Sequence, residues 1–171
     1  MQLFQMKPLA PSAMHKLAGL IAWLFLTFAA AGFGAAASRN APEFYGALVQ
    51  PSWAPPASAF GPVWTVLYLL MAIAAWLVWS ARGFRGAKVP LGLFIAQLAA
   101  NALWSWAFFV WHSGKASLAD ITILLTLIVA VTIGFWRIHR TAGILMLPYL
   151  LWVGFAAALN FVLWRSNPEL L

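Results

Sequence analysis

Residues 89–111 read VPLGLFIAQLAANALWSWAFFVW, a run without a single charged side chain. As an α-helix it is long enough to cross a hydrocarbon core of about 30 Å. Gln97 and Asn101 are one turn apart, and Trp104, Ser105 and Phe108 continue their face at i+7, i+8 and i+11. An amide in lipid without a partner is costly, so this stripe must turn toward other helices. The run therefore reads as one span of a bundle.

Four further apolar stretches of similar length flank it: Leu17–Ala37, Phe60–Ser80, Ser117–Trp136 and Ala142–Trp164. With Val89–Trp111 they make an all-α membrane protein, a bundle of five transmembrane helices. The expected single domain covers 17–165, between tails 1–16 and 166–171. A β-barrel needs short alternating segments, which do not occur. Composition agrees: 64% of the 171 residues are hydrophobic and 8% charged, where soluble domains carry roughly a quarter charged. The first stretch exceeds the apolar core of a secretion signal, about 7–15 residues, so it reads as a retained span.

The net charge of +7 suggests a nucleic-acid partner, but its distribution excludes one. The basic residues stand singly or in pairs between spans, with no continuous basic face. Lys7, Lys16, Arg82, Arg85, Lys88, Arg137 and Arg140 fall on one side, without an acid. Arg39, Lys115 and Arg165 fall on the other, with Glu43, Asp120 and Glu169. Seven bases against three puts the N-terminus in the cytoplasm, most simply across a bacterial inner membrane. There is no cysteine, so disulfides and thiolate metal sites are excluded.

The connection 39–59 is the long one and holds Pro42, Pro51, Pro55 and Pro56. Proline fixes φ and removes a donor, so the segment is expected to resist regular helix throughout. A loop of this length suits a lid over a binding site. The second stretch offers Trp64 and Tyr68 on one face, with Thr65 beside them and Pro62 expected in the first turn. The fifth offers Tyr149, Trp152, Ala156 and Asn160 at i, i+3, i+7 and i+11, with Pro148 freeing a carbonyl one turn earlier. Three stripes that mix rings with amides or phenols suit a flat, largely apolar ligand with a few polar edges.

Other residues have plainer readings. Trp23, Trp53, Trp79, Trp111, Trp136 and Trp164 lie near segment ends and suit interfacial belts. Asp120 reads either as an acid at a helix start after Ser117 or as an intramembrane carboxylate with a function. The rest of the fourth stretch, Ile121–Ile133, reads as lipid-facing or packing surface. Small residues from Ala29 to Ala37, and the pair Gly154 and Ala158, permit close helix approach within the bundle or across a dimer. His15, His112 and His139 lie at ends and loops, which leaves no axial ligand for a haem inside the bundle and no metal site. No H-E-x-x-H or G-x-S-x-G motif occurs.

Several of these residues form ordered motifs. Pro51-Ser52-Trp53-Ala54-Pro55-Pro56 precedes Phe60-Gly61-Pro62-Val63-Trp64-Thr65-Val66-Leu67-Tyr68. Gln97-Leu98, Asn101, Leu103-Trp104-Ser105 and Phe108-Phe109 follow, then Asp120, then Pro148-Tyr149, Trp152 and Leu159-Asn160. In this order, over roughly Pro51 to Asn160, they resemble the TspO/MBR family of tryptophan-rich sensory and translocator proteins. The resemblance implies a homodimeric five-helix receptor that binds tetrapyrroles, porphyrin or haem, as ligand rather than as required cofactor. It also implies that Trp64 and Trp152 line the pocket and that the first loop, with Trp53, covers it. Sensing or regulation is the leading function. Light- and oxygen-dependent porphyrin degradation through Trp64 and Trp152, and transport of porphyrin or small metabolites, are its alternatives. Phe161 stands where the family's cholesterol motif has tyrosine, so sterol binding is not carried over. Gln50 replaces the usual lysine before the first loop proline.

Overall fold

The computed structural model describes residues 13–171. Its helices are α1 (Ala13–Ala37), α2 (Ala41–Ala47), α3 (Ala57–Gly86), α4 (Lys88–Phe109), α5 (Gly114–Ile138) and α6 (Arg140–Ser166), and the described residues contain no strand. All but α2 are long and apolar enough to cross a membrane, which makes five spans. The expected tail 1–16 is shortened by the structure, since α1 begins at Ala13. Lys7 lies outside the described residues.

Two expectations about proline are corrected. The 39–59 connection is not wholly irregular: Ala41–Ala47 forms two turns of helix with Pro42 in the first turn. The N–H that proline lacks has no intrahelical partner at that position anyway. In α3 the helix starts earlier than expected, at Ala57, so Pro62 lies inside it rather than in its first turn. α6 continues unbroken across Pro148.

The spans close in the cyclic order α1, α3, α6, α5, α4, and α3 also reaches α4 and α5 across the middle. Very short joints enforce antiparallel neighbours. Near the end of α3 the helix is kinked at Gly83, whose φ of +63° is a conformation that side chains with a Cβ rarely adopt, and after Gly86 Ala87 alone separates α3 from α4. His139 alone separates α5 from α6.

α1 changes partner along its length. At its start, Gly19 sits against the Trp79 ring of α3, where an added Cβ would lie 2.0 Å from the indole. The Trp76 Nε1–H donates to Lys16 O at 2.9 Å, and the His15 and Trp79 rings lie 5.1 Å apart. Near its end, Gly34 lies against Ala102 and Ser105 of α4 instead. Trp23, expected in an interfacial belt, is buried edge-on against Phe94 of α4. At the end carrying the α3–α4 and α5–α6 joints, Ala74, Ala75, Val78, Leu91, Phe94, Ile128, Val131, Phe135, Ala142 and Met146 form a sealed core, each under 2% exposed.

Candidate functional site

At the opposite end the bundle encloses a cavity of about 570 Å³. Every span contributes, and always from the same half: 28–35 of α1, 57–68 of α3, 101–109 of α4, 121–124 of α5 and 152–163 of α6. Ala41, Pro42 and Tyr45 of α2 cover it. Among the described residues, no acid, base or histidine lines it.

Its floor is a chain of hydrogen bonds. The Tyr68 hydroxyl donates to Asn101 Oδ1. Asn101 Nδ2 donates to the Tyr149 hydroxyl at 3.0 Å, which donates to Gln97 Oε1 at 2.8 Å. Gln97 Nε2 completes the chain at Met71 Sδ, 3.9 Å away. All four polar residues are buried, so each amide finds the inward partner that lipid cannot supply. Tyr68 and Asn101 face the cavity. Tyr149 and Gln97 do not line it; they lie beneath and hold the first two in place.

The walls are aromatic. Trp104 stacks on Phe108 at 5.2 Å and donates its Nε1–H to Asn160 Oδ1 at 2.9 Å. An indole nitrogen can only donate, so this bond sets the Asn160 amide with its NH₂ directed elsewhere. Across the cavity Trp64 leans on Tyr68 at 5.6 Å, and Trp152 meets Phe60 edge-on at 6.0 Å. Asn160 Nδ2 and Trp152 Nε1 are covered donors without an acceptor among the described residues. α1 supplies a flat wall of small residues, Ala31, Gly34 and Ala35, and Ser38 just past its end extends it.

Seven expected residues therefore meet around one space: Trp64, Tyr68, Asn101, Trp104, Phe108, Trp152 and Asn160. Trp53 does not join them. It is 46% exposed and touches the edge of Phe155, whose ring in turn neighbours Trp152. Asp120 is not a helix-start acid: Ser113 caps α5, accepting from the Ala116 N–H, and Asp120 lies nearly two turns in. Its Oδ2 is buried without a partner among the described residues. The fourth stretch packs as well as facing outward: Ile121, Leu124, Ile128 and Val131 are buried, and Ile121 and Leu124 also reach the cavity. Phe60 and Tyr45 were missed. Phe60 had a signal, since 60, 64 and 68 share one face; Tyr45 had none, because its helix was not expected.

The cavity has a slot as well as a roof. Phe28, Gly32 and Ala35 of α1, and Gly61 and Thr65 of α3, line it and are also exposed. Exposed residues of α1 and α3 thus edge the cavity at this end, which places the slot between these two helices.

Five apolar spans around an uncharged aromatic chamber define a helical integral membrane protein with a ligand-sized internal cavity. Residues 20–165 match the TspO/MBR family, and the chain belongs to it. It is 41% identical over 132 residues to the tryptophan-rich protein TspO of Chlorobaculum tepidum, covering 76% of this chain and 83% of that one. It is 37% identical over 127 residues to the human translocator protein, covering 73% and 75%. Against the tryptophan-rich sensory protein of Cereibacter sphaeroides it is 38% identical over 148 residues, covering 84% and 91%.

Proposed function

We propose that this protein is a membrane sensor or regulator that binds a tetrapyrrole in the cavity between its spans. One observation carries the reading: a chamber of about 570 Å³, within the range of small-molecule sites, whose walls bear Trp64, Trp104 and Trp152 and no charge. Rings on three sides favour a flat conjugated ligand, and stacking contributes about 0.5–1.5 kcal/mol per aromatic pair beyond burial. Without a histidine in the lining, the macrocycle is held by stacking and hydrogen bonds rather than through an iron. The names of relatives, tryptophan-rich sensory protein among them, agree with a sensory role. The charge asymmetry supports an inner-membrane location with the N-terminus inside, so the cavity opens in the outer half. The outward small residues of α1, Ala29 and Ala36, which are exposed and lie off the cavity, are the proposed homodimer contact.

A second reading rests on Trp64 and Trp152 lining the same chamber: two oxidisable indoles beside a photoexcitable ring would degrade porphyrin in light and oxygen. Product beyond one equivalent per protein supports catalysis, and strictly stoichiometric loss rejects it.

The test is titration of the purified protein with protoporphyrin IX in the dark, followed by tryptophan quenching. Saturable binding is expected, weakened roughly tenfold or more in Trp152→Ala, a loss of about 1.4 kcal/mol. Equal binding by Trp152→Ala and Trp64→Ala removes the cavity as the site.

A further inference from the structure

The roof of the cavity is held from a distant part of the chain. Val49, just past α2, donates its N–H to Asn167 Oδ1 at 2.7 Å, and its carbonyl accepts from Asn167 Nδ2 at 3.1 Å. The same Nδ2 also reaches Leu163 O at 2.8 Å. One side chain thus satisfies both backbone groups of a residue 118 positions away and a free carbonyl at the end of α6. All three partners impose the same amide orientation, a donor facing Oδ1 and two acceptors facing Nδ2. Asn167 is itself 5% exposed, and the N–H groups of Leu170 and Leu171 fold back onto its carbonyl at 3.1 and 3.0 Å. The last residues of the chain form a seat rather than a loose tail.

Ring and apolar contacts also hold α2, but Asn167 is the side chain that ties its end to the end of α6 by hydrogen bonds. The Tyr45 hydroxyl donates to Pro55 O at 3.0 Å, within the same connection. Burial pushes the Tyr45 phenol up, so it stays protonated as the donor. Phe44 stacks on His112 at 4.2 Å, and Leu48 is buried among Phe108, Leu159 and Leu163. A two-turn helix cannot hold itself; these contacts and the Asn167 clasp keep it over the cavity. The route to lipid between α1 and α3 is formed by other residues and does not depend on the clasp.

We propose that Asn167 is the positioning residue that closes the cavity on its aqueous side, leaving the slot between α1 and α3 as the working entrance from the bilayer. The inference rests on the proposed ligand site for its biological meaning, but its test does not require a ligand. The natural chain has no cysteine, so Ala156→Cys places one thiol in the cavity wall and Val78→Cys places one in the sealed core. Full-length protein in lipid nanodiscs is treated with a sulfonate-bearing thiosulfonate, confined to water, or with apolar N-ethylmaleimide, which partitions into lipid. With Asn167 intact, Ala156→Cys is expected to react with the maleimide and only slowly with the sulfonate. Adding Asn167→Ala removes three hydrogen bonds. It should raise the sulfonate rate roughly tenfold or more, with the maleimide rate little changed and Val78→Cys protected throughout. Fast sulfonate reaction before Asn167 is changed overturns the seal. An unchanged sulfonate rate in Asn167→Ala overturns the clasp. So does equal acceleration at Val78→Cys, which signals general loosening. Protoporphyrin IX binding is measured separately on the same variants, and its absence counts against the tetrapyrrole reading while leaving the labelling result to decide the clasp.

Discussion

The same helices build a sealed core at one end and a chamber at the other. In the sealed half, the inner one under the proposed orientation, α3 presents Ala72, Ala74, Ala75 and Val78, all buried, and its neighbours close on them with Phe94, Ile128 and Phe135. In the chambered half, the outer one under that orientation, α3 presents Phe60, Trp64 and Tyr68, α4 presents Trp104 and Phe108, and α6 presents Trp152. Small residues let backbones approach until packing is complete. Large rings pinned by hydrogen bonds and by one another cannot fold into the middle, so they line a space instead. The floor of Tyr68, Asn101, Tyr149 and Gln97 marks the boundary. Polar groups there take their bonding partners from one another, so the floor neither opens to lipid nor collapses.

The largest expected effect separates the two halves by kind. Phe94→Ala empties a fully buried site between Trp23 and Phe135, a change that costs about 3–5 kcal/mol in soluble cores. It should lower the thermal unfolding midpoint in detergent sharply. Ala156→Trp places an indole in the cavity, and there the expectation reverses: protoporphyrin IX titration loses its saturable phase while the unfolding midpoint stays within a few degrees of wild type. A large fall in stability for Ala156→Trp would mean that the outer half is packed like the inner one.

A smaller pair of changes sharpens the contrast on a single helix. Gly19→Ala forces a methyl group 2.0 Å from the Trp79 ring, and overpacking of that kind costs about 1–3 kcal/mol. Gly34→Ala meets only Ser105 Oγ at 3.3 Å and should cost a few tenths of a kcal/mol, within the range of ordinary substitutions. Equal destabilisation of the two variants in parallel unfolding measurements would erase the difference between the inner and outer ends of α1.

The smallest effect probes the boundary. Tyr149→Phe deletes the hydroxyl that links Asn101 to Gln97. Polar bonds within membrane bundles average about 0.6 kcal/mol, so about 1 kcal/mol of stability should be lost. Because Tyr149 does not line the cavity, ligand affinity should fall less than in Trp152→Ala. A larger fall in affinity than in Trp152→Ala would place the ligand below the floor.

Much of this architecture was legible in the amino-acid order. Five apolar runs of sufficient length, charged only at Asp120, leave a chain in lipid few options, because every backbone group must be satisfied within a helix. The helical period alone puts Trp64 with Tyr68, and Asn101 with Trp104 and Phe108, on shared faces. The cost of an unpaired amide directed Gln97, Asn101 and Asn160 inward. Membership of the TspO/MBR family agrees with those motifs.

What the tertiary structure decided is depth and partnership. Periodicity gives a residue's face but not its level or its neighbour on another helix, so Gln97 and Tyr149 could not be distinguished from the residues that touch the cavity. Trp53, sharing a motif with the pocket residues, packs outside against Phe155 because the chain around it is held by α2 and α6. The helix Ala41–Ala47 forms in a segment whose prolines argue against regularity, since its buried face rests on Phe108, Leu159 and Leu163. The bond between Asn167 and Val49 joins residues 118 apart, and no local pattern encodes a contact at that separation. Local propensity and lipid determined which segments are helices; only side chains meeting across those helices determined where the bundle stays open.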